Sequence, residues 1–272
     1  MRKLEIFCTS LKPYLLLDKL PKYIRPLGLG ENDFPPDWLS EKKGDNIKHL
    51  NRYYGEVSGF YWIWKNIINE FNDEDFVGFC HYRKLWLNYF SESKKKKQIK
   101  SLYKDLLQSS NNIFEKVDVI QVQPILFKNR NLLEDFDTIH KTNLLIKSLD
   151  FLKEPIKSNF FHHLNGNVLF PLNMFIVKKS FFIEYCNELF PWLEKCMIYC
   201  EENKLTSSSY NIRLPAFLAE RFTSFWFSQY KNKTQLSYAR LGNFLLSEEL
   251  NKLINPLKIP FTSRMYPTIH NY

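Results

Sequence analysis

The tripeptide His81-Tyr82-Arg83 is the first candidate site, because it directly follows a short apolar run at residues 76–80. Such a run is typical of a buried strand, and open α/β sheets bind ligands beyond the carboxyl ends of their strands. Arg83 could hold a phosphate or carboxylate through both arms of its guanidinium. His81 could bind a phosphate oxygen or exchange a proton near neutral pH. Position favours a functional site over the alternative, in which both side chains only satisfy backbone carbonyls.

A second polar group crowds the start of an aromatic-rich helix. The group and the helical residues that follow it are Asp45, Asn46, Asn51, Tyr54, Glu56, Tyr61, Trp64 and Lys65. Asp and Asn side chains at such positions commonly cap helices. The same residue types also read the hydroxyl groups of a sugar or nucleotide. Composition alone leaves both roles open.

Two further pairs carry polar chemistry in apolar surroundings. Glu220 and Arg221 lie inside an otherwise apolar helix, where buried charges need partners. A structural ion pair is therefore the simpler explanation, and a carboxylate with a raised pKa acting as general base is the functional one. Asn173 and Met174 begin a strand after a proline-containing loop.

Several familiar catalytic patterns are missing from the sequence. It has no HExxH, no GxSxG, no Walker A pattern and no Cys/His spacing typical of a metal site. Asp-x-Asp occurs at residues 73–75, before a strand, and at residues 135–137, on a predicted helix. Neither has the strand-end position of a nucleotide-sugar metal site, so the metal ligands stay unassigned.

The elements that must position these residues alternate between strand and helix, which predicts an α/β fold in largely one domain. Apolar runs predict strands at 4–9, 76–80, 117–123, 168–170 and 173–177. Helical periodicity predicts helices at 52–71, 131–152, 179–203 and 213–230, the third of them kinked or split at Pro191. Four Pro/Gly breaks predict a long loop over 23–39.

Composition narrows the classes of ligand. The 272 residues carry a net charge of +9 and only 8 glycines, so few glycines are available for a glycine-dependent phosphate cradle. The charge favours phosphorylated ligands or an anionic membrane surface, which the lysine run at 94–97 could contact. No nucleic-acid-binding pattern accompanies it. Five cysteines without a CxxC, no apolar run of membrane length and no signal peptide predict a cytoplasmic protein.

Several sequence blocks together resemble one bacterial family, known as domain of unknown function 4422. The first begins at Asp45-Asn46-Ile47 and continues through Tyr61-Trp62-Ile63-Trp64-Lys65-Asn66. The second is the stretch from Asp75 to Arg83. Later blocks begin at Asn173-Met174 and at Arg213, and the resemblance runs to about residue 228. Members of this family are glycosyltransferases of capsule, exopolysaccharide and lipopolysaccharide assembly.

The resemblance implies a single GT-A-like (Rossmann-like) nucleotide-sugar-binding domain with extra C-terminal helices. We place the domain at residues 1–230 and a C-terminal extension packed on it at 231–272. The implied reaction is hexosyl transfer, galactose or galactofuranose being favoured, from a nucleotide-diphosphate donor such as a UDP-sugar. The implied acceptor is a capsule, exopolysaccharide or lipooligosaccharide glycan, free or lipid-linked. The implied location is cytoplasmic, with peripheral contact at the inner membrane face.

The resemblance also suggests roles for residues. The expected catalytic residues are His81, Arg83, Glu220 and Glu56. The expected substrate-binding residues are Asp45, Asn46, Asn51, Tyr54, Tyr61, Trp64, Lys65, Tyr82, Asn173, Met174 and Arg221. A divalent cation, Mn²⁺ or Mg²⁺, stays open as a cofactor. Two alternatives also stay open: a non-catalytic glycan-binding module, and a phosphotransferase acting on sugars.

Overall fold

A central β-sheet organises the protein in the computed structural model, which describes residues 2–14, 16–88, 97–98, 104–108, 110–240 and 244–245. The described strands are β1 (Leu4–Ser10), β2 (Ile24–Gly28), β3 (Leu39–Ser40), β4 (Phe76–His81), β5 (Lys84–Trp86), β6 (Lys97–Gln98), β7 (Val119–Val122), β8 (Ile125–Leu126), β9 (Val168–Leu169), β10 (Phe175–Lys178), β11 (Lys233–Leu236), β12 (Tyr238–Arg240) and β13 (Phe244–Leu245).

The strand order of the main sheet is β11-β7-β10-β4-β1-β2-β3, and β5 pairs with both β4 and β12 beside this path. The pairs among β4, β1, β2 and β3 are parallel, as is β7 with β11. Strand β10 runs antiparallel between β4 and β7. From β1 the chain goes to β2 on one side and later to β4 on the other. The sheet therefore has a topological switch point between β1 and β4, where such sheets bind ligands.

The helices cover the sheet and connect its strands. The described helices are α1 (Asn51–Tyr54), α2 (Val57–Asn66), α3 (Ile113–Lys116), α4 (Leu132–His140), α5 (Leu144–Ser148), α6 (Ile156–Leu164), α7 (Lys179–Glu202) and α8 (Leu214–Ser228). Short 3-10 helices lie at Leu17–Lys19, Lys48–Leu50, Ile68–Glu70, Leu149–Phe151 and Asn211–Arg213. Among the described residues, none of the helices has the length and apolarity needed to cross a membrane.

Aromatic side chains fill the core on the face of the sheet that α2 and α7 cover. The Phe79 ring of β4 lies 4.3 Å from that of Phe60 in α2 and 5.2 Å from that of Phe182 in α7, centroid to centroid. Phe175 of β10 joins the same group at 5.2 Å from Phe79. These contacts fix the carboxyl end of β4 relative to α2, and so fix the candidate residues at the end of β4 relative to those just before α2.

Four expectations about elements are wrong in whole or in part. The segment 23–39 is not a continuous loop, because Ile24–Gly28 forms β2 beside β1. The helix expected at 52–71 breaks at Gly55, which has a positive φ of 56°, and ends at Asn66. The helix expected at 131–152 ends at His140, where Lys141 adopts a left-handed φ of 53°. Helix α7 continues through Pro191, so that proline does not split it.

The expected division at residue 230 stays a prediction. Strands β11 and β12, which follow it, are part of the main sheet. Most of the lysine run at 94–97 and the whole tail from residue 255 lie outside the described residues.

Candidate functional site

A cleft of about 460 Å³ opens at the switch point, beyond the carboxyl ends of β1 and β4. Thr9 and Ser10 end β1 and line it, and the β4–β5 hairpin contributes His81, Tyr82 and Arg83. The first candidate site therefore lies where the sequence placed it, at a strand end that faces a cavity.

The Arg83 guanidinium is held by an aromatic ring. Its central carbon lies 4.9 Å from the centroid of the Tyr82 ring, which stacks on Tyr14 at 4.6 Å with an interplanar angle of 9°. No ion pair joins Arg83 to another residue in the part of the chain that the structure describes. Its positive charge is thus positioned but not neutralised, as an anion-binding residue requires.

Positive charge dominates the cleft lining. Of the described residues that line it, five are Lys or Arg and two are Glu, namely Arg52, Arg83, Lys84, Arg213, Arg221, Glu56 and Glu220. Such an excess inside a concave, partly apolar wall focuses a positive potential on a bound anion. The lining therefore suits a phosphorylated ligand.

Glu56 lies at the corner between α1 and α2, with both carboxylate oxygens in contact with other side chains. Its Oε1 accepts a hydrogen bond from Asn173 Nδ2 at 2.9 Å, and its Oε2 lies 3.4 Å from Arg213 Nη2. Burial alone would raise the pKa of Glu56, but the positive charge of a protonated His81 ring, Arg213 and the Asn173 amide lower it, the last two also when His81 is neutral. Glu56 is therefore an ionised carboxylate in the cleft at neutral pH.

His81 is oriented by the backbone of the loop before β10. Its Nε2 lies 2.6 Å from the carbonyl oxygen of Leu172, and because a carbonyl only accepts, Nε2 carries the proton. Burial lowers the pKa of His81, and the charges of Lys84 and Arg213 add to this, against the opposing effect of Glu56. His81 thus joins β4 to the Leu172 loop as a neutral ring.

Leu172 and Asn173 form the floor of the cleft in an uncommon backbone conformation, with φ values of 79° and 50°. Positive φ is costly for a residue with a side chain such as Leu, so the surrounding contacts must hold it. The Leu172 N–H donates to Glu220 Oε1 at 2.6 Å, while its carbonyl accepts from His81. The loop is therefore clamped on both sides of one residue.

The side chain of Asn173 completes this clamp. Its Nδ2 donates to Glu56, and its Oδ1 accepts a hydrogen bond from Thr223 Oγ1 of α8 at 3.0 Å. Asn173 thus sets the position of the Glu56 carboxylate relative to α8. Met174, the next residue, is 3% exposed and packs in the core, so it does not line the cleft.

Glu220 belongs to a chain of buried ion pairs. Its Oε2 lies 3.2 Å from Arg221 Nη1, Arg221 Nη2 lies 2.7 Å from Asp135 Oδ2, and Asp135 Oδ1 lies 2.8 Å from Arg130. Both Glu220 oxygens thus have partners, since Oε1 accepts from Leu172. These contacts favour the structural alternative for Glu220 and Arg221, in which the pair positions the floor of the cleft.

Arg213 is a site residue that the sequence interpretation did not single out. Its guanidinium reaches from the 3-10 helix before α8 to Glu56, passing over Gly55. A Cβ on Gly55 would lie 2.4 Å from Arg213 Nη2, so only glycine leaves room for this approach. The one local signal in the sequence was the position of Arg213 directly before a helix that begins with proline. That position indicates a helix boundary equally well.

An apolar wall lines another part of the cleft, and sequence reasoning missed it as well. We call it the Tyr210 wall; it consists of Tyr210, Phe217, His140 and Ile139. The Tyr210 ring stacks on His140 at 5.4 Å and lies 5.3 Å from Phe217. Helix α4 ends at His140, and this unforeseen end brings the ring into the cleft.

Besides Met174, six of the expected binding residues lie elsewhere. Asp45, Asn46, Tyr54, Tyr61, Trp64 and Lys65 do not line the cleft. Trp64 stacks on Phe190 of α7 at 5.6 Å, with Lys65 Nζ 3.5 Å above the Trp64 ring. The aromatic face of α2 packs on α7, which turns it away from the strand ends.

Tyr54 and Asn51 serve the local structure of the α1–α2 corner. Tyr54 is 3% exposed and lies in the core. Asn51 does line the cleft, but its Nδ2 donates to the Gly55 carbonyl at 2.9 Å and to Ser58 Oγ at 2.8 Å. Asn51 thus stabilises the bend that presents Glu56.

The residues present do not fit a carboxylate metal site. In the part of the chain that the structure describes, no three His, Cys, Asp or Glu side chains are grouped as metal ligands. Of the Asp-x-Asp pair at 73–75, Asp75 accepts hydrogen bonds from two backbone N–H groups. Of the pair at 135–137, Asp135 is paired with two arginines.

Comparison with known proteins agrees with this architecture. A family model described as "Domain of unknown function (DUF4422)" matches residues 6–233. The apo structure of WbbM, described as a bifunctional glycosyltransferase, superposes with a TM-score of 0.68 at 19% identity, over 88% of this chain and 45% of that chain. The chain thus spans less than half of that protein. No curated protein matches the sequence significantly. The structural match confirms the predicted α/β, GT-A-like fold.

Proposed function

The chain belongs to the family described as domain of unknown function DUF4422, and on that premise we propose that it is a glycosyltransferase using a nucleotide-diphosphate sugar. The observation that carries the proposal is an ionised carboxylate, Glu56, inside a cationic cleft at the switch point of the sheet. Glycosyl transfer needs both parts. A base must take the proton of the acceptor hydroxyl, and positive charge must stabilise the departing diphosphate.

Arg83 is the residue we assign to the diphosphate. Its charge is not paired with a described carboxylate, and its fork of N–H donors matches phosphate oxygens. Arg52 lines the same cleft and adds to the potential. As the bond from the sugar to the diphosphate breaks, negative charge accumulates on the leaving oxygen, and fixed cations stabilise it without reorganisation.

Glu56 is the residue we assign as general base, in preference to Glu220. Both carboxylates have a partner at each oxygen, but Glu220 is joined through Arg221 to a buried chain of ion pairs and holds the Leu172 loop. Glu56 lies outside that chain, and its surroundings keep its pKa low. The acceptor oxygen forms its bond to the sugar carbon while its proton passes to Glu56. His81 then acts through the Leu172 loop as a positioning residue.

Finer specificity rests on the family resemblance. A galactose or galactofuranose donor and a bacterial surface glycan as acceptor are the choices that it favours, with the protein acting in the cytoplasm at the inner membrane face. The cations of the cleft support a donor that carries a diphosphate, and the apolar wall adds a surface without charge. Neither feature selects one sugar over another.

The test is a panel of UDP-, GDP- and dTDP-sugars, with release of the nucleoside diphosphate as the measurement. We expect one donor class to release nucleotide and Glu56→Gln to lower that release while UDP still raises the melting temperature. Glycan binding without nucleotide binding would instead identify a glycan-binding module. Phosphate transfer seen by mass spectrometry of the products would identify a phosphotransferase.

A further inference from the structure

The Tyr210 wall is an exposed apolar surface inside the cleft that the assigned steps of transfer do not use. Tyr210 is 50% exposed and Ile139 is 36% exposed, although both line a concave site. Burying such groups is the ordinary outcome of folding, so apolar side chains left open within a cavity indicate a ligand that covers them.

The wall lines the same cleft as the general base. Tyr210 directly precedes the 3-10 helix that ends with Arg213, and the Arg213 guanidinium contacts Glu56. The nucleotide's place is set by the switch point, at the ends of β1 and β4 where Thr9 and Arg83 lie. The wall is built instead by the end of α4, by Tyr210 in the segment before α8 and by Phe217 in the first turn of α8.

The chemistry of the wall suits an uncharged ring. Burial lowers the pKa of His140 to about 4, so its ring is neutral at physiological pH. The Tyr210 and Phe217 rings add two aromatic surfaces. The negative face of an aromatic ring attracts the weakly positive C–H groups on one face of a sugar, while the sugar's hydroxyls stay free for polar partners.

We propose that the Tyr210 wall binds the sugar ring of the acceptor glycan, with Tyr210 as the stacking platform, and so holds the attacking hydroxyl next to Glu56. This inference rests on the proposed function, because it assigns the acceptor side of the same reaction.

A pair of binding measurements tests it. UDP binding is followed by calorimetry, and glycan binding is followed on an array of bacterial and synthetic glycans in the presence of saturating UDP. The variants are Tyr210→Ala, Tyr210→Phe and the control Phe161→Ala, which removes an aromatic ring of 46% exposure from α6, outside the cleft. Because Tyr210 is half-exposed, its truncation leaves the core intact.

We expect Tyr210→Ala to weaken glycan binding by about ten-fold, the effect of one lost aromatic contact, with UDP affinity unchanged within about two-fold. Tyr210→Phe and Phe161→Ala should retain glycan binding. The proposal is overturned if Tyr210→Ala weakens UDP instead, which would make the wall a nucleobase site. Unchanged glycan binding in Tyr210→Ala, or a wild-type protein that binds UDP and no glycan, would overturn it too.

A different result would contradict the proposed function while leaving the acceptor-binding role of the Tyr210 wall intact. A wild-type protein that binds glycans through Tyr210 but binds no nucleotide and releases none from the donor panel would support the wall and exclude glycosyl transfer. The two ideas therefore have distinguishable outcomes in the same set of experiments.

Discussion

Among the residues that the structure describes, Arg83 contacts the face of Tyr82 and pairs with no carboxylate, which leaves its charge available to a ligand. Most other arginines near the cleft are already engaged: Arg213 contacts Glu56, and Arg221 contacts Asp135 and Glu220. A single residue type therefore has two roles here. In the proposed reaction Arg83 binds the anion, while the paired guanidinium groups of Arg213 and Arg221 organise the site.

Arg83→Ala should lower transfer by about 10²–10³-fold, because a preorganised donor at developing negative charge contributes most in the transition state. Released nucleoside diphosphate is the measurement, with Arg83→Lys expected to retain part of the rate. Arg2→Ala is the matched control, since Arg2 precedes β1 at the end of the sheet opposite the cleft. Near wild-type transfer in Arg83→Ala would remove the leaving-group assignment.

Asn173→Asp should shift the acid limb of the pH–rate profile to higher pH. The new carboxylate would stand where Nδ2 now lies, 2.9 Å from Glu56 Oε1. Two carboxylates so close share a proton, which raises the pKa of Glu56 and leaves it protonated at a higher pH. Thr223→Val, which removes the opposite hydrogen bond of Asn173 without adding charge, should leave the limb in place. An unshifted limb in Asn173→Asp would argue against Glu56 as base.

Transfer should persist in EDTA. Asp75 and Asp135, the buried members of the two Asp-x-Asp pairs, are engaged by backbone N–H groups and by arginines. The cations of the cleft therefore have the task of neutralising the diphosphate. Loss of transfer in EDTA with recovery on adding Mn²⁺ would contradict this, and would direct attention to residues outside the described ranges.

At the scale of elements, the corner between α1 and α2 presents Glu56 and depends on Gly55. Gly55 combines a positive φ of 56° with the close approach of Arg213. We expect Gly55→Ala to displace the guanidinium from Glu56 and to lower kcat by about 10²-fold, the scale of effect of a small misplacement in an active site.

Gly30→Ala is the matched control for that change. Gly30 also has a positive φ, of 73°, but a Cβ there would meet Asn51 Oδ1 at an ordinary 3.4 Å. Both variants should lose thermal stability through backbone strain, and only Gly55→Ala should lose most of its activity. Equal activity in the two variants would show that the approach of Arg213 has no catalytic role.

The sequence was sufficient to predict the elements that have a clear apolar run, such as β1 and β4, or a clear helical periodicity, such as α7 and α8. Strand β2 escaped because Pro26 and Gly28 are typical of loops. Pro26 is tolerated because β3 pairs with β2 only from Leu27 onward. On the β3 side, therefore, no strand lies opposite residue 26, and the N–H that proline lacks would have had no hydrogen-bond partner there. Edge pairing of this kind is a property of the sheet, which local composition does not reveal.

The site was predictable where it follows one strand end and not where it needs distant segments. His81 and Arg83 were placed correctly because they adjoin β4. Trp64 was expected to bind sugar, yet packs on Phe190, which lies far away in the sequence. Tyr210 and Arg213 were missed for the same reason, because only the folded chain brings them to Glu56.

At the scale of the whole molecule, two histidines, the buried His140 and the partly buried His163, make stability depend on pH. Burial lowers the pKa of His140 and of His163 to about 4, against an ordinary value of 6.5. Between these values the unfolded chain binds protons that the folded chain excludes. Their contribution to the free energy of unfolding is therefore present above pH 6.5 and falls as the pH drops toward 4, by up to about 1.4 kcal/mol per pH unit for each ring.

His163→Gln should flatten the loss of melting temperature between pH 7 and pH 5, relative to the wild type. Glu41 and Asp135, whose pKa values burial raises, act in the opposite direction, so the difference between variants is the proper measurement. His162→Gln changes an exposed neighbour and should follow the wild-type curve. Parallel curves for His163→Gln and the wild type would exclude the effect.

The residues that line the cleft are spread along the chain, which has a consequence for synthesis on the ribosome. Thr9 and Arg83 leave the ribosome early, and β1, β2 and β4 can pair as soon as they emerge. Glu220, which holds the floor, follows Thr9 by about 200 residues, or roughly 10–40 s of translation. A nascent chain thus acquires its anion-binding strand ends first. Arg213 and Glu220 arrive last, so the growing chain is inert toward its substrates until α8 has emerged and docked.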